Sequence, residues 1–318
     1  MRVSLVTGAA GFVGANLVRR LLRDGDHVVA GVRPGGDRWR LAAVRGELEL
    51  ADADLRDPEA AGALVRRHRP ARVFHLAAHG AYSWQEDVAA MVDVNVRATD
   101  ALLAAFDGEA FVHAGSSSEY GSKDHAPAEG ELIEPDSHYA VTKAAATHLC
   151  ALAARATDRH AVTLRLYSAY GPWEEPGRLV PALLAHALRG ELPPLVRPET
   201  VRDFVHVDDV CAAFALAAEA TGVARGSVFN VASGRETRLD ELVGLVRDVL
   251  AVRAEPVWGT MPARRWDAAT WVGDASAARR VLGWAPAVAL GPGLVATADW
   301  LRAHAELHER YGVAPRRG

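Results

Sequence analysis

The chain has 318 residues, half of them apolar and 24% charged, the balance of a soluble globular protein of one large or two modest domains. Its two cysteines, Cys150 and Cys211, exclude a disulfide scaffold or a cysteine-rich zinc module and fit a reducing compartment. The 36 basic and 40 acidic residues leave a formal charge of −4 and are interspersed, so no basic stripe favours nucleic acid or a membrane surface.

The N-terminal apolar stretch is broken by Thr7, three glycines and Asn16, which reads as strand, turn and helix rather than as a signal peptide. No run reaches the ~18 apolar residues of a membrane span, and a cytoplasmic location is expected. Short, branched, apolar runs predict buried strands at Arg2–Val6, Val28–Val32, Leu48–Ala51, Val73–Leu76, Phe111–Ala114 and Val162–Leu166. Helical periodicity falls between them at Gly14–Arg23, Glu59–His68, Val88–Phe106 and Tyr139–Ala156, with Gly25 closing the first helix. Strict alternation implies parallel pairing and a doubly wound α/β sheet of the Rossmann type over residues 1–171.

The character changes after Gly171, where six prolines fall within thirty residues. Helices are expected at Arg178–Arg189, up to about Ala220, and at Leu239–Val252, Asp274–Leu282 and Leu290–His308, with strands at Asp203–Val207 and Val228–Val231. Residues 172–318 are expected to form a smaller, mostly helical lobe at the C-terminal side of the sheet. Part of 203–240 is expected to return to the first domain. Open α/β sheets bind ligands at this side.

The first strand runs into Thr7-Gly8-Ala9-Ala10-Gly11-Phe12-Val13-Gly14 and then a helix. Gly8 permits the tight turn, Gly11 lets backbone approach a pyrophosphate, and Gly14 allows close helix–sheet packing, with Phe12 and Val13 completing the turn. The second strand ends at Arg33, followed by Arg38, where an acidic residue would hold the ribose hydroxyl of NAD. Arginine pairs with a 2′-phosphate, so NADP(H) is favoured over NAD(H). Asp54 and Leu55, after the third strand, are candidates to reach the adenine. Tyr139 and Lys143 lie one helical turn apart on one face, downstream of the serine run Ser116-Ser117-Ser118 at the end of the fifth strand. A phenol acts near neutral pH if its pKa falls, and Lys143 is expected to lower that of Tyr139. Ser116 is placed to hydrogen-bond the reacting oxygen. His75 and His79 flank the fourth strand's end without a Cys or carboxylate cluster at ligand spacing, so no metal site is expected. His79 is instead assigned to a substrate cleft with Ser83.

These motifs, with His75-Leu76-Ala77-Ala78, Asn95-Val96, Tyr120-Gly121, Arg202 to Asp209 and Leu282-Gly283-Trp284 in order, resemble the extended short-chain dehydrogenase/reductases, the nucleotide-sugar epimerase/dehydratase group. The resemblance implies a catalytic set of Ser116, Tyr139 and Lys143. It implies cofactor contacts from Leu76, Ala77, Ala78 and Asn95, and substrate contacts from Ser117, Ser118 and Ser168. Arg202 and Arg264 match arginines that bind the substrate diphosphate, and a homodimer is implied. The 4,6-dehydratases of the group carry carboxylates where this chain has Ser117 and Ser118, which argues against dehydration. Ser168 stands where the group usually has Asn. Two reactions remain. An NADPH-dependent 4-ketoreductase of a nucleoside-diphosphate 4-keto-6-deoxy sugar is favoured by Arg33, and the alternative is a nucleotide-sugar 4-epimerase. A silent NADP(H)-sensing protein would have no need of Ser116, Tyr139 and Lys143.

Overall fold

The computed structural model describes residues 2–82, 84–261 and 270–313. The first half runs β1 (Val3–Thr7), α1 (Phe12–Arg23), β2 (His27–Val32), β3 (Glu49–Asp52), α2 (Pro58–His68), β4 (Arg72–His75), α3 (Val88–Val92), α4 (Ala98–Ala105), β5 (Ala110–Ser116), α5 (His138–Thr157) and β6 (Ala161–Leu166). Every strand lies within two residues of its expected bounds. The local chemistry explains the boundaries. Asp57 caps α2 by accepting from the backbone N–H of Glu59, with Pro58 at the first helical position. Ser137 caps α5 through the N–H of Ala140.

The second half runs β7 (Ser168–Tyr170), α6 (Leu179–Ala187), β8 (Val201–Arg202), β9 (Phe204–His206), α7 (Val207–Glu219), β10 (Val228–Val231), β11 (Thr237–Arg238), α8 (Leu239–Leu250), α9 (Leu290–Ala303) and α10 (His308–Tyr311). Three expectations are corrected. The helix expected over Val88–Phe106 contains a π-helical turn at Asp93–Arg97. The strand expected at Asp203–Val207 divides around Asp203, whose carbonyl accepts from Ser168 N–H while its carboxylate takes N–H groups of Ser233, Gly234 and Gly273. The last long helix stops at Ala303, because His304 leaves helical geometry and its ring bonds back to the Trp300 carbonyl.

The seven-stranded sheet has the order β10-β6-β5-β4-β1-β2-β3, with every pair parallel. This is a doubly wound Rossmann-like α/β fold. One core lies between the sheet and α1 with α7, and includes Leu17, Phe74, Val112 and Phe214. The other, with Leu64, Leu102, Phe111 and Cys150, lies under α2, α4 and α5. A third cluster joins α6, α8 and α9 around Leu183, Leu242 and Leu294. Strand order reverses between β1 and β4, and the C-terminal ends of these strands open at that point, where such sheets accept ligands. Among the described residues, no helix is long and apolar enough to cross a membrane.

Candidate active site

A cavity of about 1740 Å³ runs from the turn after β1, along the C-terminal strand ends, to the loops of the second half. At its head Gly8 has φ +67°, and a Cβ there would stand 2.6 Å from the backbone N of Ala77. A Cβ at Gly14 would stand 2.2 Å from the Gly8 carbonyl oxygen. Only glycine fits either position. Gly11 precedes α1 without a side-chain cap, and the first turn of α1 has no acidic residue, so its N–H groups present a positive helix end to the cavity. This cradle fits a dinucleotide's pyrophosphate.

The remaining cavity wall brings together most of the residues singled out by sequence. Gly8, Gly11, Phe12, Val13 and Gly14 line it at one end, beside Arg33, Arg38, Asp54 and Leu55. Leu76, Ala77, Ala78 and His79 form its floor after β4, and Ser116, Ser117, Ser118, Tyr139 and Lys143 its centre. Ser168 and Arg202 lie on the side of the second half. Arg33 is exposed. Arg38 is paired with Asp52, and Asp54 is paired with Arg56 at 2.6 Å, which holds its carboxyl below the usual range. Ser83 and Arg264 lie outside the described residues.

Asn95 is set apart from the other expected cofactor residues. It is buried in the π-helical turn and does not line the cavity. Its side-chain Oδ1 accepts from the His79 N–H at 2.8 Å, and its side-chain amide Nδ2 donates to the His79 carbonyl and to Thr142 Oγ1. Both amide protons and the amide oxygen are thus engaged in tying the loop after β4 to α5. His79, held by that clamp, carries a buried Nε2 without a hydrogen-bond partner among the described residues.

The electrostatics of Tyr139 also differ from expectation. Burial raises its phenol pKa; the hydrogen bond with Ser116 opposes this, and the Glu119 charge adds to it. The four-residue spacing does put Tyr139 and Lys143 on one face, but the long lysine side chain ends against β5. There its Nζ lies 3.1 Å from His113 Nε2. Lys143 is 2% exposed, and burial pushes its ammonium down to about 8, with the Glu119 charge opposing.

Several residues take their part in the site only from the structure. Glu119, wholly buried, accepts from the Ser116 N–H at 2.8 Å, from Thr147 Oγ1 at 2.9 Å and from Arg165 Nε at 2.9 Å. It thereby fixes the turn that carries Ser116. Tyr82, Glu174 and Arg178 also line the cavity, and the Arg178 guanidinium lies 5.9 Å from the Tyr82 ring centre. Burial pushes the Glu174 carboxyl up to about 8, with Arg178 pulling back. The loop carrying Glu174 is held by Arg40. Its guanidinium donates to the carbonyls of Trp173 at 2.6 Å and Ala10 at 3.4 Å, and pairs with Glu175 at 2.9 Å. Trp173 has φ +69°, and its ring packs under Arg19 at 4.1 Å.

Residues 4–232 match the model of the NAD dependent epimerase/dehydratase family. The chain belongs to that family. It is an enzyme of the extended short-chain dehydrogenase/reductase type, in a family named for its use of NAD. Curated relatives of this family member include the dTDP-glucose 4,6-dehydratase of Streptomyces griseus, 32% identical over 94% of both chains. The UDP-glucose 4-epimerase of Mycolicibacterium smegmatis is also 32% identical, over 94% of this chain and 98% of its own. Among solved structures, the UDP-glucose 4-epimerase of Thermotoga maritima, with UDP-glucose, superposes with a TM-score of 0.85 at 28% identity, covering 95% of this chain and 99% of that one.

Proposed function

We propose that this enzyme is an NADP(H)-dependent 4-ketoreductase of a nucleoside-diphosphate 4-keto-6-deoxy sugar. The observation that carries the reading is Arg33, an exposed guanidinium on the cavity wall at the end of β2, where an NAD-specific site would have a carboxylate. Arg33, helped by Arg38, would hold the 2′-phosphate. Gly8, Gly11, Phe12, Val13 and Gly14 would hold the pyrophosphate, Asp54 and Leu55 the adenosine, and Leu76, Ala77 and Ala78 the nicotinamide half. When bound, the nicotinamide supplies the hydride.

The chain's own part is proton chemistry. A phenol raised by burial is protonated at neutral pH, as a general acid must be. Tyr139 donates its proton to the substrate carbonyl oxygen while Ser116 hydrogen-bonds that oxygen, and Lys143 supports the phenolate that results. His79, Ser117, Ser118, Ser168 and Arg202 are assigned to the nucleotide sugar, together with Ser83 and Arg264. Residues 172–318 are assigned as the substrate lobe, with 203–240 shared with the first domain. Dehydration is disfavoured because Ser117 and Ser118 are hydroxyls and Glu119 is engaged by Ser116, Thr147 and Arg165. A 4-epimerase is the second reading, supported by the relatives that carry that name. A cytoplasmic homodimer completes the proposal; Val141 and Leu152 of α5 are 51% and 59% exposed and suit a subunit interface.

The test follows NADPH absorbance with a panel of nucleotide-linked 4-keto-6-deoxy sugars while sugar products are analysed in parallel. Stoichiometric NADPH loss with one of them, abolished by Tyr139→Phe at unchanged cofactor affinity, is the expected result. Interconversion of ordinary nucleotide sugars without NADPH loss would replace the reductase with the epimerase.

A further inference from the structure

Beneath the cavity floor lies a column of buried polar side chains. His75 on β4 and His113 on β5 are 1% and 0% exposed, with ring centres 5.7 Å apart. Both are held neutral, their pKa values lowered by burial and by the Lys143 charge.

The hydrogen bonds of His75 form a closed set. Thr99 Oγ1 gives its proton to the Asn95 carbonyl at 2.7 Å, so it accepts from His75 Nε2–H at 2.9 Å. The other nitrogen, Nδ1, then accepts from the Thr7 hydroxyl at 2.7 Å. This imidazole has nothing left to offer Lys143.

His113 differs. An ammonium only donates, so His113 Nε2 accepts from Lys143 and its ring proton sits on Nδ1, directed at Thr163 Oγ1 at 3.3 Å. Among the described residues this imidazole is the one hydrogen-bond partner of the Lys143 ammonium. The other titratable groups facing Lys143 are the Glu119 carboxylate from the turn after β5, itself paired with Arg165, the Cys150 thiol on α5, and His75. Burial pushes the Cys150 thiol up to about 12, so it is neutral.

We propose that His113 is the positioning residue of Lys143: its Nε2 lone pair fixes the ammonium beside the middle of β5 and keeps it charged at neutral pH. The functional consequence rests on the reading of Lys143 as catalytic; the effect on the lysine itself does not.

The chain contains only two lysines, Lys123 and Lys143, which makes the test direct. Protein labelled with ¹³C at lysine Cε gives two signals, and Lys123→Arg leaves that of Lys143 to be titrated by NMR. The midpoint is expected near 8 in the otherwise native chain. Replacing the acceptor by His113→Leu should lower the proton affinity of Lys143 about tenfold, the size expected for one hydrogen bond to a charged group. His113→Gln, whose amide oxygen accepts, should restore most of it. The alkaline limb of kcat should move with the lysine. Equal midpoints in all three proteins overturn the proposal. If His113→Leu does not fold, Thr163→Val, which removes the anchor of the Nδ1 proton, takes its place, and an unchanged midpoint again overturns it. A midpoint that moves while the turnover profile does not would uphold His113 and remove Lys143 from its catalytic role.

Discussion

Replacing Glu119 by alanine should destabilise the protein well beyond an average substitution. The carboxylate is wholly buried against an Arg165 side chain that is 4% exposed. Its loss leaves that guanidinium, the Thr147 hydroxyl and the Ser116 N–H without their acceptor. Breaking one side of a buried pair costs ~3–5 kcal/mol. Unfolding entropy of ~2.1 cal/mol/K per residue, over 318 residues, is roughly 0.67 kcal/mol/K, so Tm should fall by roughly 5–7 °C. Differential scanning calorimetry reads this directly. The double variant Glu119→Leu with Arg165→Met should recover most of the loss, because an apolar pair of similar volume removes the stranded charge. A fall of under ~2 °C in the single variant would refute the reasoning, and so would a double variant as unstable as the single one.

Glu174 supplies a pH signature. Its carboxyl is raised from 4.5 to about 8 by burial, so between those values the folded protein keeps a proton that the unfolded chain sheds. The Glu174 contribution to stability should therefore decline as pH rises from 4.5 to 8 and be flat outside that window, by roughly 5 kcal/mol at most. Urea unfolding of Glu174→Gln at several pH values should lack this slope, and an identical slope would assign it elsewhere. Gly14→Ala sets a Cβ 2.2 Å from the Gly8 carbonyl oxygen and should weaken NADPH binding by ~100-fold or more in a fluorescence titration; native affinity would show that the turn has room. Arg33→Asp should weaken NADPH by about 10- to 100-fold relative to NADH, and an unchanged ratio of dissociation constants would make Arg33 a bystander.

The sheet was legible because its strands are short apolar runs buried on both faces, a pattern that does not depend on distant partners. The glycine turn was legible for a related reason: Gly8 and Gly14 answer to backbone approach, which the strand–turn–helix context predicts. The clamp that Asn95 makes was not legible, because a motif identifies a residue but not the direction of its side chain, and the π-helical turn carries Asn95 beneath the loop after β4. The Tyr139–Lys143 spacing gave the shared helix face, but not where a flexible four-carbon side chain ends. That depended on His113, thirty residues upstream on β5. Glu174 and Arg178 were invisible because their loop takes its course from Trp173 in a left-handed conformation, held by Arg40 from the segment after β2, 133 residues earlier in the chain.

Arg40 has a consequence for the order in which ligands act on one another. One guanidinium holds the carbonyl of Ala10, in the glycine turn, and the Trp173–Glu175 segment, in the wall opposite. The glycine turn cannot shift by much without stretching a bond to Arg40 or drawing that wall with it. Seating a dinucleotide at one end of the cavity is therefore expected to be felt at the Glu174 segment through two ties, Arg40 and Asn16, whose amide donates to the Pro172 carbonyl at 2.9 Å, with no subunit or domain rotation required.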